Sequence, residues 1–160
     1  MNERGTILIV DDEVGPRESL RMILKPLYEI KTATSGEEAL KAMQSQKIDL
    51  VTLDLKMPGL SGLQVLREIK KISNDIEVVI ITGYGTLPNA KEAIRYGAGD
   101  FISKPFNVAD IVSVISKAFE RHNYNVKIKA LIRQIKDLRA LEDSEQTYFL
   151  REEPLEANQT

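Results

Sequence analysis

Five side chains that could act together chemically follow short apolar runs of the chain: Asp11, Asp12, Asp54, Thr82 and Lys104. Three carboxylates in one pocket repel one another and raise one another's pKa unless a cation lies among them. Since the group offers only oxygen ligands, we expect a hard divalent ion, Mg²⁺ rather than Ca²⁺. A lysine ammonium and a threonine hydroxyl can both bind an anion there. Together these groups describe a site for phosphoryl transfer to a carboxylate.

The elements that must position these residues alternate as strand and helix five times. Strands are predicted at 6–10, 28–33, 48–53, 77–81 and 100–103, each followed by a helical pattern. This alternation predicts an α/β fold with a five-stranded, doubly wound parallel sheet, commonly in the order 2-1-3-4-5. In that order strands 1 and 3 are neighbours, so their carboxyl ends bring the three aspartates together. Strands 4 and 5 deliver the threonine and the lysine to the same edge.

The composition is that of a soluble globular protein. Of 160 residues, 42% are apolar and 29% are charged, and the net charge of −2 gives no indication of nucleic-acid binding. The absence of cysteine excludes disulfides and thiolate chemistry. No apolar run is long enough to span a bilayer, and the N-terminus lacks a signal-peptide pattern. We therefore expect a cytoplasmic protein with neither membrane nor nucleic acid among its direct partners.

As a set, the motifs resemble the receiver domain of two-component response regulators. The resemblance covers about residues 4–121: an acidic pair after strand 1, Asp54 before a Met-Pro-Gly turn, Thr82 after strand 4 and a Lys-Pro pair after strand 5. It implies a flavodoxin-like fold, Mg²⁺ as cofactor, and phosphate donation by a histidine kinase or by small donors such as acetyl phosphate. It also implies a protein that catalyses only its own phosphorylation and dephosphorylation.

The resemblance assigns roles around the acceptor carboxylate. Asp54 would accept the phosphoryl group and would hold Mg²⁺ together with Asp11 and Asp12. The backbone carbonyl of Lys56 would complete the protein ligands. Lys56 and Tyr84 fall on positions that flank the phosphoryl group in this family and tune its lifetime.

The resemblance also assigns a switch. Thr82 and Lys104 would bind phosphoryl oxygens, and Pro105 would follow a cis peptide bond. Movement of Thr82 toward the phosphoryl group would let Phe101 turn inward. The face formed by helix 4, strand 5 and helix 5 would then change, which would control dimerisation or an output partner.

Beyond a receiver domain at 1–121, the sequence predicts a helical linker or signalling helix at 122–141. Apolar residues there fit a and d positions of heptads: Tyr124, Ile128, Leu131, Ile135 and Leu138. A lone amphipathic helix needs a partner to bury its stripe, so we favour a dimerising helix, with a linker packed on the domain as the alternative. The acidic, polar residues 142–160 are predicted to be disordered. An output domain could follow such a linker, outside this chain.

Other interpretations compete with these. Asp11 and Asp12 could merely cap the first helix. The chain could be a small phosphatase with an aspartyl-phosphate intermediate, although that class resembles Asp-x-Asp after its first strand, or a phosphate-independent interaction module. The single histidine, His122, is expected to be exposed and without a role.

Overall fold

The computed structural model describes residues 3–151, in which five strands alternate with five helices. In chain order these are β1 (Thr6–Val10), α1 (Val14–Leu24), β2 (Glu29–Ala33), α2 (Gly36–Ser45), β3 (Leu50–Leu53), α3 (Gly62–Ile72), β4 (Glu77–Thr82), α4 (Leu87–Arg95), β5 (Asp100–Ser103) and α5 (Val108–Arg151). All strands pair in parallel, in the order β2-β1-β3-β4-β5. The predicted fold class and strand order are confirmed.

The sheet separates two apolar layers, because successive side chains of a strand point to opposite faces. In β1, Leu8 and Val10 join one core cluster, whereas Ile7 and Ile9 join the other. The first cluster includes buried residues of α2, α3 and α4, and the second includes those of α1 and α5. Every residue of β3 is buried, as a central parallel strand covered by helices on both faces requires.

Side-chain caps define where α2 and α3 begin. The Ser35 hydroxyl accepts the Glu38 N–H at the start of α2, which makes Ser35 the N-cap. Ser61 and Gln64 form a reciprocal capping box at the start of α3. A Cβ on Gly62 would lie 2.3 Å from the carbonyl oxygen of Asp54. Only glycine therefore lets α3 begin this close to the end of β3.

The C-terminal part of the chain differs from its prediction. Helix α5 continues to Arg151, so the prediction of disorder is wrong for residues 142–151; residues 152–160 lie outside the described part of the chain. The segment 142–151 is acidic and polar, but its Glu, Gln, Leu and Arg are good helix formers, and low hydropathy alone does not prevent a helix. The boundary between two compact units lies between Tyr124 and Asn125, three residues later than the predicted boundary after residue 121. No helix among the described residues has the length and apolar character needed to cross a membrane.

His122 is not exposed, contrary to expectation. Its side chain is 12% accessible, with Nε2 3.2 Å from Oδ1 of Asp49 and Nδ1 2.6 Å from the carbonyl oxygen of Asp75. Asp49 precedes β3 and Asp75 precedes β4, so the histidine fastens α5 to the amino ends of two central strands. Sequence spacing could not reveal this contact, because it depends on which turn of α5 passes that edge.

Candidate functional site

The four predicted residues that end or follow a strand meet at the carboxyl edge of the sheet. Asp11 follows β1, and Asp54 follows β3, where its N–H extends the ladder to the Val10 carbonyl at 3.1 Å. Thr82 is the last residue of β4, and its carbonyl accepts the N–H of Lys104 at 2.9 Å. The parallel register therefore produces the site, because each strand delivers one side chain to the same edge.

Asp54 is almost fully buried, at 3% accessibility, and both of its carboxylate oxygens are bound. Oδ1 accepts the Thr82 hydroxyl at 2.7 Å and the backbone N–H of Lys56 at 3.2 Å. Oδ2 lies 3.1 Å from the ammonium of Lys104. A buried carboxylate needs such partners, since an unpaired charge in the interior costs several kcal/mol.

Lys104 bridges two buried acids. Its Nζ lies 2.6 Å from Oδ2 of Asp11 in addition to its contact with Asp54. Burial lowers the pKa of Lys104, but its hydrogen bonds to both carboxylates and their charges outweigh that effect, and the net pKa is raised. Burial raises the pKa of Asp11 despite the hydrogen bonds from Lys104 and from the N–H of Glu13. The lysine is thus held in its cationic form between the two acids.

The acids form a cluster that suits a hard cation. Asp11, Asp12, Glu13 and Asp54 each offer a carboxylate oxygen, and these oxygens lie within 4.8 Å of one another. Asp12 and Glu13 are exposed, whereas Asp11 and Asp54 are buried. A mixture of buried and solvent-facing oxygen donors fits Mg²⁺, which keeps several of its waters when bound. Glu13 is a further member of the cluster that was not predicted from the sequence, although its position directly after the acidic pair was a signal.

Neither Asp11 nor Asp12 caps the first helix. The N-cap of α1 is Glu13, whose side chain makes no capping hydrogen bond. The capping interpretation is therefore wrong, and the acidic pair faces the other acids at the sheet edge instead. Lys56 contacts Asp54 through its backbone N–H, and the ligand role of its carbonyl stays a prediction.

Lys56 and Tyr84 lie against each other at the rim of the site. The Lys56 ammonium contacts the Tyr84 hydroxyl and lies 4.1 Å from the centre of its ring. The backbone N–H of Tyr84 donates to the Thr82 hydroxyl at 3.2 Å. Both residues line an open groove of about 440 Å³ that they share with Asp12 and Glu13. The pair therefore borders the route by which a small molecule or water reaches the acids.

Phe101 lies where a movement of the loop after β4 would reach it. Its ring is half-buried and packs against the core layer of α2, α3 and α4. A Cβ on Gly85 would lie 3.4 Å from the Phe101 ring. The peptide bond between Lys104 and Pro105 is cis, as the resemblance implies. The role of Phe101 as a switch stays a prediction.

The fold and the site define a class of protein, a doubly wound α/β domain with an acidic, lysine-bridged carboxyl edge. The model of the response regulator receiver domain matches residues 7–116. The chain belongs to this family, whose members are phosphoacceptor domains of two-component systems.

The chain is also similar to individual response regulators and related proteins. Sporulation initiation phosphotransferase F of Bacillus subtilis is 38% identical over 118 residues, which cover 73% of this chain and 94% of that protein. Transcriptional regulatory protein GlrR of Escherichia coli is 34% identical over 116 residues, 72% of this chain but only 26% of GlrR. The crystal structure of NtrX from Brucella abortus in complex with ADP superimposes with a TM-score of 0.76 at 38% identity, covering 80% of this chain and 30% of NtrX. The chain thus spans nearly all of one relative and under a third of the other two.

Proposed function

We propose that this chain is a phosphorylatable switch in which Asp54 accepts a phosphoryl group from a histidine kinase in a Mg²⁺-dependent reaction. The observation that carries the proposal is the buried Asp54 carboxylate held between the Thr82 hydroxyl and the Lys104 ammonium, beside a cluster of acids. This arrangement positions one carboxylate, a hydroxyl and a cation around the place where a phosphoryl group would lie.

In the reaction, a carboxylate oxygen of Asp54 attacks phosphorus and the bond from phosphorus to the donor atom breaks, which leaves an acyl phosphate. Asp11, Asp12 and Asp54 would hold Mg²⁺, which would supply positive charge to offset that of the phosphoryl oxygens. Lys104 already lies on Asp54 and pairs with one phosphoryl oxygen as a point charge. The Thr82 hydroxyl, now bound to Oδ1, donates to another.

The hydrogen bond of Thr82 couples this chemistry to the surface. When Thr82 turns toward a phosphoryl oxygen it gives up its bond to Asp54 and pulls on Tyr84, whose N–H it accepts. The loop at Gly85 then moves away from the Phe101 ring, which turns into the freed space. The local charge event thereby biases a two-state surface made of α4, β5 and the first part of α5.

The changed face is the surface through which the chain acts on a partner. On α4, Leu87 and Ile94 are exposed apolar side chains, at 68% and 62% accessibility, and they suit a contact with another protein. We assign this face to dimerisation or to an output partner. The chain spans 26% of the transcriptional regulator GlrR but 94% of sporulation initiation phosphotransferase F, so the proposal covers both an output domain and a separate protein as the partner. The cytoplasmic location, and the absence of direct nucleic-acid and membrane binding, stay predictions.

One observation argues against the alternative that the chain is a phosphatase. The position two residues after Asp54 carries Lys56, whose ammonium contacts Tyr84, so no acid stands there to protonate a leaving group. Continuous release of phosphate from an ester, beyond one equivalent of protein, would support the phosphatase instead.

Incubation with Mg²⁺ and acetyl phosphate, read by intact-mass spectrometry, tests the proposal. We expect a single phosphate adduct that disappears in Asp54→Asn and when EDTA removes the metal. Asp137→Asn, an exposed acid on α5, is the matched control and should retain the adduct. An adduct that persists in Asp54→Asn, or no adduct under conditions that label another receiver domain, would contradict the proposal.

A further inference from the structure

The C-terminal unit carries an apolar stripe that is exposed to solvent among the described residues. Every described residue from 125 to 151 is exposed, and the stripe residues reach 54% accessibility at Leu131 and 61% at Leu138. A helix of this unit gains most of its stability from burying an apolar face, so a stripe facing solvent indicates a missing partner.

The spacing and the residue types of the stripe specify that partner. Ile128, Leu131, Ile135 and Leu138 are separated by three, four and three residues, the a and d pattern of a coiled coil. Isoleucine occupies both a positions and leucine both d positions. Within parallel coiled coils, β-branched residues at a with leucine at d favour two strands, so the pattern fits a second, parallel copy of this helix.

The charges are consistent with that arrangement. Arg133, Lys136 and Asp137 fall at outer heptad positions (f, b and c), and Arg139 at position e faces the uncharged Gln134 at position g of the other copy, so like charges of two parallel copies do not meet. Ile132 and Leu141 fall at the flanking e and g positions and widen the apolar seam. From Ile128 to Leu138 no polar residue interrupts the a and d positions.

From these observations we propose that residues 128–141 of two chains pair as a parallel two-stranded coiled coil. The pairing places the two C-terminal ends side by side, so that whatever follows them is presented as a pair. The seam covers only two heptads, so the dimer dissociates on dilution. The proposal does not depend on phosphorylation, and it applies to Asp54→Asn as to the original chain.

Sedimentation over a concentration series, with the full chain carrying Asp54→Asn, tests the association. We expect a monomer–dimer equilibrium that the double variant Leu131→Gln, Ile135→Gln abolishes. The matched control, Val126→Gln with Ala130→Gln at positions f and c, also introduces two glutamines and should leave the equilibrium unchanged. Circular dichroism of both variants checks that the helix persists. A chain that stays monomeric, or a dimer that survives the double variant, would overturn the proposal.

The orientation can be tested because the chain has no cysteine. In a parallel pair each residue of the seam faces its own copy, so Ile128→Cys and Leu138→Cys should each form an intermolecular disulfide on mild oxidation. Val126→Cys, on the outer side, is the control and should remain largely a monomer. If neither seam cysteine cross-links, the pairing is not parallel. If the monomer instead pellets with anionic lipid vesicles through this segment, the stripe's partner is a membrane and the proposal fails.

Discussion

The Thr82 hydroxyl donates a hydrogen bond of 2.7 Å to Oδ1 of Asp54, and both side chains are buried. The bond joins the end of β4 to the residue after β3, so it satisfies a buried carboxylate and connects it to the loop that follows β4. The same bond serves stability in the unmodified protein and is given up in the proposed switch.

Thr82→Val should therefore destabilise the unmodified protein by about 1–2 kcal/mol, because Asp54 loses a hydrogen bond inside the protein. Thr52→Val in β3 is the matched control: its hydroxyl is buried and lacks a hydrogen-bond partner among the described residues. That variant should be neutral or stabilising. Urea unfolding measures both, and an equal loss in the two variants would contradict the importance of the bond.

Lys104→Met should destabilise the metal-free protein by about 2 kcal/mol or more, because two buried acids lose their shared cation. Mg²⁺ should then stabilise the variant more than the original chain, since the ion restores positive charge between the acids. The free energy of unfolding is measured in EDTA and in Mg²⁺, and the difference between the two conditions is the stabilisation by the ion. Lys31→Met, which removes an exposed ion pair with Glu29, should be stabilised by Mg²⁺ as much as the original chain is. If Mg²⁺ stabilises Lys104→Met no more than it stabilises the original chain, the acids beside Lys104 are not a cation site.

Tyr84→Ala should shorten the lifetime of the phosphorylated form. The ring and the Lys56 ammonium border the groove beside the acids, and removing the ring opens that route to water. The decay of the phosphate adduct after removal of the donor measures the effect. Tyr84→Phe retains the ring and should lie closer to the original chain, and Tyr148→Ala on α5 should not change the decay. A decay in Tyr84→Ala as slow as in the original chain would exclude shielding.

Glu38→Gln should reduce stability at neutral pH but not in acid. Glu38 accepts hydrogen bonds from the backbone N–H and the hydroxyl of Thr34, which lower its pKa in the folded state below the usual 4.5. The stabilisation is present above the unfolded pKa and is lost as the pH falls through the folded one. Because solvent screens this exposed group, we expect less than about 1 kcal/mol.

Unfolding of the original chain and of Glu38→Gln across the pH range checks this expectation. The gap between the two chains should close in acid. Glu92→Gln, an exposed glutamate on α4, should show no such gap. A difference that persists unchanged at low pH would assign the effect to packing rather than to charge.

The sequence was least informative about the C-terminal third of the chain. Composition suggested disorder after residue 141, whereas the helix continues to Arg151 because helix propensity does not require apolar residues. His122 was expected to be exposed, but it binds Asp49 and the carbonyl of Asp75. The first error concerns where a helix ends, and the second concerns which side of a helix packs against the sheet. Local composition is a poor guide to both.

By itself the sequence determined the order of strands and helices and placed Asp11, Asp54, Thr82 and Lys104 at strand ends, because hydrophobic period and turn residues are local properties. Only the tertiary structure decided which atoms meet: Thr82 on Oδ1 of Asp54, and Lys104 between Asp54 and Asp11. Lys104 and Asp11 are 93 residues apart in the chain. A contact over that separation depends on strand register and on how side chains pack at the sheet edge. The local sequence pattern predicts neither of them.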